Sequence, residues 1–377
     1  MKRTYDLIVI GAGLSSLMFL NQYLKKNNYQ SILLLEQKKT ANNDQTFCIW
    51  EGPGLPNITE EFQLKPKKIW KKIVLNNLNY EVKKNIYPYN YVCFDGKEVL
   101  ESLFKSFSKK ITNLKKEIVT KVYCKDDIQI VTTDNSVYFG KVVVDSRNNF
   151  QKHEIKSALV CQAFVGSEIE LTQDRFKPDE VTLMSFKQND DQVEFTYILP
   201  FSKQRALVET TVFSVAPCLE SIEKIHKVVL ENFGAYEEVR QEKAILPMAV
   251  ISPIEEKRIL KIGIGGGMMR ASSGYSMRRI GNWALRLKSD ELSEKSISIF
   301  RYRSNKCLNY LDKIFLNVIL KYPEKGPYLF MKLFRRAKIS SLIRFLSDTP
   351  KGIDLINILL CMPKRLMLKG LIEKKND

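Results

Sequence analysis

Tyr5-Asp6-Leu7-Ile8-Val9-Ile10-Gly11-Ala12-Gly13-Leu14-Ser15-Ser16, followed by Ser31-Ile32-Leu33-Leu34-Leu35-Glu36, decides the fold. The apolar run before Gly11 predicts a buried strand, the paired glycines a tight turn, and the residues after Gly13 a helix. Ser31 to Glu36 then reads as a parallel strand ending in an acid. Gly11 and Gly13 let the backbone approach a pyrophosphate. That group meets the helix N-terminus, where free N–H groups and the dipole favour negative charge. Glu36 lies 25 residues beyond Gly11, where an acid accepts hydrogen bonds from an adenosine ribose. Ser16 takes the third glycine position and is small enough for close helix–strand packing. An ordinary βαβ turn explains neither the paired glycines nor the acid, so the stretch predicts a dinucleotide site.

Working outward, residues 117–145 alternate like strands and end in Val142-Val143-Val144-Asp145-Ser146-Arg147. A buried strand ending at the mouth of a doubly wound sheet is where ligands bind. Asp145 and Arg147 are therefore candidate cofactor contacts, although a strand-end turn explains the pattern equally well. Residues 258–264 read as another buried strand, leading into the glycine-rich run 265–276 and a helix to about residue 288. This second glycine cluster, with Gly266, Gly267, Ser273, Gly274 and Tyr275, reads as a second contact to the cofactor.

Between these pieces the chain changes character. The loop after the second strand carries Thr46-Phe47-Cys48-Ile49-Trp50, which either lines a pocket or pins the loop to the core. Seven lysines between 65 and 84 surround Trp70, as a solvated strand pair or a contact for phosphate or lipid. Residues 95–108 and 219–233 read as helices. Residues 159–165, 180–187, 192–199 and 205–214 read as strands of a mostly antiparallel sheet. Glu209 stands there inside an otherwise uncharged β-run, on one face with Leu207 and Thr211. Buried, such a carboxyl stays protonated near neutrality and is a candidate general acid. An edge-strand glutamate facing water fits the pattern too. From residue 300 the chain reads as helical, apolar and basic. Such helices lie in a headgroup layer or pack as a subdomain with solvated lysines.

The whole is expected to be α/β: a Rossmann-type, glutathione-reductase-like domain, an antiparallel substrate sheet and a helical C-terminal part. Expected boundaries are 1–150 and 251–290 for the discontinuous nucleotide domain, 151–250 for the substrate sheet and 291–377 for the helices. Lys and Arg number 60 against 42 Asp and Glu, a net charge of +18, which predicts attraction to polyanions such as anionic lipid. The basic residues form no recognised nucleic-acid module. Seven scattered cysteines without CxxC spacing argue for a reducing compartment and against a zinc site, so no metal is expected. The first strand begins almost at once, so no signal peptide is expected, and no apolar run reaches membrane-spanning length. His153 and His226 lie near no nucleophile signature.

The order of motifs resembles the FAD-dependent lycopene cyclases, particularly the bacterial β-cyclases. The resemblance rests on the fingerprint from Asp6 to Ser16, on 44–50 and on 144–147. It continues through Gln162 to Gly166, Pro178 to Phe186, Tyr197 to Pro200, Leu207 to Thr211, Leu246-Pro247-Met248, and Ala271 to Ser276. It implies reduced FAD as a non-redox cofactor, NADPH as electron donor and linear lycopene as substrate. It also implies Glu209 as the acid that protonates the terminal double bond. An internal alkene then attacks the cation, and proton loss leaves a β-ionone ring, giving γ-carotene and then β-carotene. The resemblance further implies a cytoplasmic protein, peripheral to the inner face of a bacterial plasma membrane. Thr210 stands where the family has a second acid, Ser185 where it has an aspartate, and Lys243-Ala244 where a glycine is usual. A flavin monooxygenase is the alternative. It would need a glycine–aspartate motif entering the late helix, and Gly263 to Gly267 contains no aspartate.

Overall fold

The computed structural model of the chain describes residues 4–27, 31–37, 45–287, 292 and 297–372. Asp44, the first residue of one quoted motif, lies outside them. The opening stretch folds as its pattern predicts. Strand Thr4–Ile10 runs into helix Leu14–Lys26 and back to strand Ile32–Leu35, which pairs with it in parallel. These two strands are apolar enough to be buried on both faces, as a parallel sheet requires.

Around them a seven-stranded sheet forms. Its order is Asn113–Lys115, Ile32–Leu35, Thr4–Ile10, Val137–Asp145, Ile128–Thr133, Val119–Lys125. The late strand Ile259–Lys261 pairs in parallel with Val137–Asp145, so the chain returns to the first sheet after building the second. The predicted strand 258–264 is shorter than its apolar run. Gly263 and Gly267 take positive φ and turn the chain before it extends further.

The second sheet also has seven strands, in the order Tyr236–Met248, Val160–Leu171, Arg205–Ser214, Val193–Pro200, Glu180–Lys187, Lys72–Asn76, Glu81–Asn85. Its central pairings are antiparallel, and Lys72–Asn76 joins Glu180–Lys187 in parallel. The first 150 residues thus contribute to both sheets. A small third sheet joins Thr46–Glu51, Asn90–Asp95 and Lys68–Trp70. Trp70 is buried and donates to the carbonyl of Pro200, and Trp50 packs on Tyr91 with ring centroids 4.5 Å apart and the rings tilted by 50°.

Two layers cover the second sheet. Helix Leu219–Glu231 packs on one face through Ile222, Val229 and Leu230. The other face meets the C-terminal helices Lys306–Lys321, Gly326–Arg336, Ile339–Leu346, Gly352–Cys361 and Lys364–Ile372. Phe315, Phe330 and Phe334 of these helices enter one core cluster with Phe186, Phe195 and Phe213 of the sheet. Between that sheet face, the first helix's N-terminus and the C-terminal helices lies a cavity of about 660 Å³.

Candidate active site

One end of the cavity is the turn that opens the first helix. Gly11 has φ +88°, and a Cβ there would run into Ser146 Oγ. Gly13 has ordinary extended φ, yet a Cβ there would meet nothing within 4 Å, because the position faces the open cavity. No side chain caps this helix. Its first N–H groups are directed where an anion would sit. Ala12 N–H donates to Glu36 Oε2 at 2.5 Å, which holds the acid beside the turn. Ser16 is fully buried, and its Oγ has no partner among the described residues.

The other proposed cofactor residues divide. Ser273, Gly274 and Tyr275 line the cavity, as do Gly263 and Ile264. Gly266 and Gly267 instead serve the turn itself. A Cβ on Gly266 would meet Ile262 Cα at 2.6 Å, and one on Gly267 would meet the carbonyl oxygen of Ile251 at 2.6 Å. Asp145 and Arg147 are bound to each other, Nε to Oδ1 at 2.9 Å and Nη2 to Oδ2 at 2.7 Å. Ser146 and Asn148, their alternating neighbours, are the residues that reach the cavity wall. Ser273 Oγ and Gln162 Oε1 are buried polar atoms without a partner among the described residues. An open glycine cradle, an uncapped helix N-terminus, an acid beside it and orphaned polar atoms fit a dinucleotide.

The sheet supplies the acid. Glu209 pairs across the sheet with Gly166 on one side and Tyr197 on the other, and Gly166 in turn pairs with Glu242. Strand alternation puts these four residues in one row on the cavity face. Glu209 is 8% exposed, and Thr211 Oγ1 donates to its Oε1 at 2.6 Å. Among the described residues no cation pairs with it. Burial, assisted by the nearby charge of Glu242, pushes its pKa up to about 8.

Glu242 has a different setting. Its Oε2 accepts from Arg240 Nη1 at 2.6 Å and from Thr46 Oγ1 at 2.7 Å. Burial still raises its pKa, while Arg240 and Thr46 pull it back down. Arg240 is itself fixed through Nε to Glu168 Oε2 at 2.7 Å, and Lys67 and Arg205 bind the same buried Glu168. Of the 46–50 stretch, Thr46, Phe47, Cys48 and Trp50 line the cavity, as one of its two readings had it. Motif reading missed Glu242 and Arg240 and gave Gly166 and Lys67 no part in the site. The signal was present: in 236–248, Arg240, Glu242, Ala244 and Leu246 alternate onto one face, but the many charges hide the strand.

Aromatic and apolar side chains complete the wall. Tyr275, Tyr91 and Tyr197 form a hydroxyl chain with links of 2.7 and 2.8 Å, ending on Cys48 Sγ. Burial raises all three tyrosine pKa values, so they remain neutral phenols. The C-terminal helices contribute Phe315, Phe330, Phe334, Phe345 and Met362. Such a chamber takes a hydrophobic ligand, with a protonated acid at its floor.

A family model described as lycopene cyclase protein matches residues 6–371. The chain belongs to the lycopene cyclase family. It is 22% identical over 295 residues to a chloroplastic neoxanthin synthase of Solanum tuberosum, covering 73% of this chain and 58% of that protein. It is 23% identical over 238 residues to a lycopene beta-cyclase of Paracoccus sp., covering 55% of this chain and 61% of that one. The chain thus spans less than two-thirds of the length of either relative. A flavin-dependent brominase shares the fold, with a TM-score of 0.63 at 12% identity, 98% of this chain and 99% of the other being covered.

Among the departures from the pattern of the lycopene cyclase family, Thr210 and Ser185 lie off the cavity, whereas Lys243 and Ala244 are on its wall. Thr210 points opposite to Glu209 by strand alternation, and its hydroxyl bonds His226 Nδ1 at 3.0 Å beneath the outer helix. His226 Nε2 meets Ser167 Oγ at 3.0 Å, and burial lowers this histidine's pKa to about 4. Lys243 pairs with Glu223, while Ala244 lines the cavity. Ser185 does not line it; its neighbours Leu183 and Met184 do.

Proposed function

We propose that this lycopene cyclase family member closes the ends of linear lycopene into β-ionone rings, through γ-carotene to β-carotene, by acid catalysis without net redox change. The observation that carries the reading is Glu209, a carboxyl buried at the floor of an apolar cavity with its pKa near 8. It holds a proton at neutral pH and can deliver it to the terminal alkene carbon. The aromatic wall excludes water that would capture the resulting cation. The faces of Tyr197 and Tyr275 stabilise positive charge as it develops.

Gly11, Gly13, Ser15, Glu36 and the 272–276 turn would hold FAD. When bound in its reduced form, FAD supplies negative charge beside the cation. NADPH is the proposed source of that reduction. The substrate is proposed to come from an anionic membrane surface. Ile353, Ile356, Leu360 and Leu368 are exposed on the last two helices beside Lys351, Lys364, Arg365 and Lys369. Leu359 and Met367, from the same two helices, line the cavity. Apolar side chains rimmed by basic ones suit a headgroup layer. Among the described residues no helix is long and apolar enough to cross a membrane. The reading has the protein act from the cytoplasmic side, at the inner face of a bacterial plasma membrane.

The test is pigment analysis of lycopene-accumulating bacteria that express the chain, by chromatography with absorption spectra. The wild type should yield β-carotene. Glu209→Gln should accumulate as soluble flavin-loaded protein while cyclisation falls roughly 10²–10⁴-fold, the usual worth of a general acid. Full activity in that variant removes Glu209 from the mechanism. Consumption of one NADPH per product molecule would move the reading to a monooxygenase.

A further inference from the structure

Cyclisation needs a proton removed as well as one delivered. Resting on the cyclase reading, we propose that Glu242 is the catalytic base that takes up the departing ring proton. The row Glu242–Gly166–Glu209 sets two carboxyls on one face, separated by a residue with no side chain. A Cβ on Gly166 would come within 3.3 Å of Glu209 Cβ and 3.4 Å of Glu242 Cγ. The two glutamate Cα atoms therefore stand about two strand spacings, roughly 9.5 Å, apart, and both side chains reach over Gly166. Both side chains line the cavity.

Their partners divide the labour. Glu209 has only a hydroxyl donor, whereas Glu242 binds the Arg240 guanidinium and the Thr46 hydroxyl through Oε2. Glu242 Oε1 accepts no hydrogen bond from the described residues and remains available to the cavity. The cation beside Glu242 opposes the effect of burial and favours the accepting form; Glu209, without a cation, keeps its proton and can donate. Glu168 anchors Arg240, so the cation does not follow the proton.

In the step, the Glu209 O–H bond breaks, leaving its electron pair on the carboxylate. The π pair of the terminal alkene bonds the proton at its CH carbon, which leaves a tertiary cation at the dimethyl carbon. The internal alkene's π pair forms the ring bond to that carbon and moves the cation into the ring. A ring C–H then breaks, its electron pair becomes the ring double bond, and the proton goes to Glu242 Oε1. No electrons are gained or lost overall. Between turnovers Glu242 releases its proton to solvent and Glu209 regains one.

The experiment compares wild-type and Glu242→Gln holoenzyme, loaded with reduced FAD, on lycopene in phospholipid vesicles. Expected is at least a 100-fold fall in turnover, within the range for a lost general base. The residual product should contain displaced ring double bonds or ring alcohols, because the cation lacks its acceptor. Glu242→Asp should recover part of the rate and the normal ring. Wild-type ring product at a rate within about threefold of wild type would overturn the assignment. So would a full rate regained simply by lowering the pH, since Glu242 would then act only through Glu209. If the Gln variant does not accumulate folded, Glu242→Asp decides alone. A slowed reaction supports the base, and wild-type rate and ring overturn it. Wild-type protein that leaves lycopene unconverted fails the cyclase reading itself, a result distinct from all of these.

Discussion

At the scale of single residues, Glu209 carries a pH signature. Its pKa is raised, so the donating form is present at neutral pH and is lost as pH rises through about 8. Turnover of the holoenzyme should be flat near neutrality and fall about tenfold per unit above that value. A pH–rate series from 6 to 10 checks this, and a rate climbing through 8 contradicts it. Glu209 was legible in the sequence because an acid inside an uncharged strand is conspicuous. Its desolvation was not legible, since that depends on phenylalanines more than a hundred residues away. Glu242 was hidden for a related reason. It gains meaning only when Gly166 pairs with both glutamates, and strand pairing cannot be read from any one stretch.

At the scale of elements, the first strand–turn–helix was fully legible, because its periodicity, glycines and terminal acid are all local. Gly13→Val tests its assigned role. The native φ of −79° and ψ of 178° suit valine, and the added side chain points into open space rather than protein. The variant should therefore fold normally yet purify without its flavin, as read from the ratio of flavin to protein absorbance. Unchanged flavin content refutes the nucleotide site. The late glycine run was legible only as a cluster. Which glycines face the cavity depended on how the turn closes, and Gly266 and Gly267 proved to pack on backbone. Helix Leu219–Glu231 was legible from its apolar spacing, but its polar contact was not. The Thr210–His226 pair needed the far face of the sheet to be known.

At the scale of the whole molecule, the C-terminal helices are joined to the cofactor-side turn by a buried ion cluster. Arg270, preceding Ser272 and Ser273, binds Asp312 at 3.1 Å and Asp348 at 3.2 Å, and Ser272 also donates to Asp312. Removing Asp312 leaves the buried Arg270 charge with Asp348 alone, which Arg279 also binds. Asp312→Ala should cost about 3–5 kcal/mol, seen as a lower midpoint of denaturant unfolding, with the loss centred on the C-terminal helices. The sequence showed these helices to be basic and apolar without showing that they roof a chamber, since that requires their packing partners. Its net charge spoke of polyanions without saying where. The roofed chamber also bears on the order of events. On the proposed cyclase reading the substrate has two equivalent ends, and each copy of the chain has one Glu209. A second end would reach that acid only after the first had withdrawn and the molecule had reversed. On that reading two-end closure would be distributive: the half-finished compound would be a free species, open to any competitor that meets it between visits.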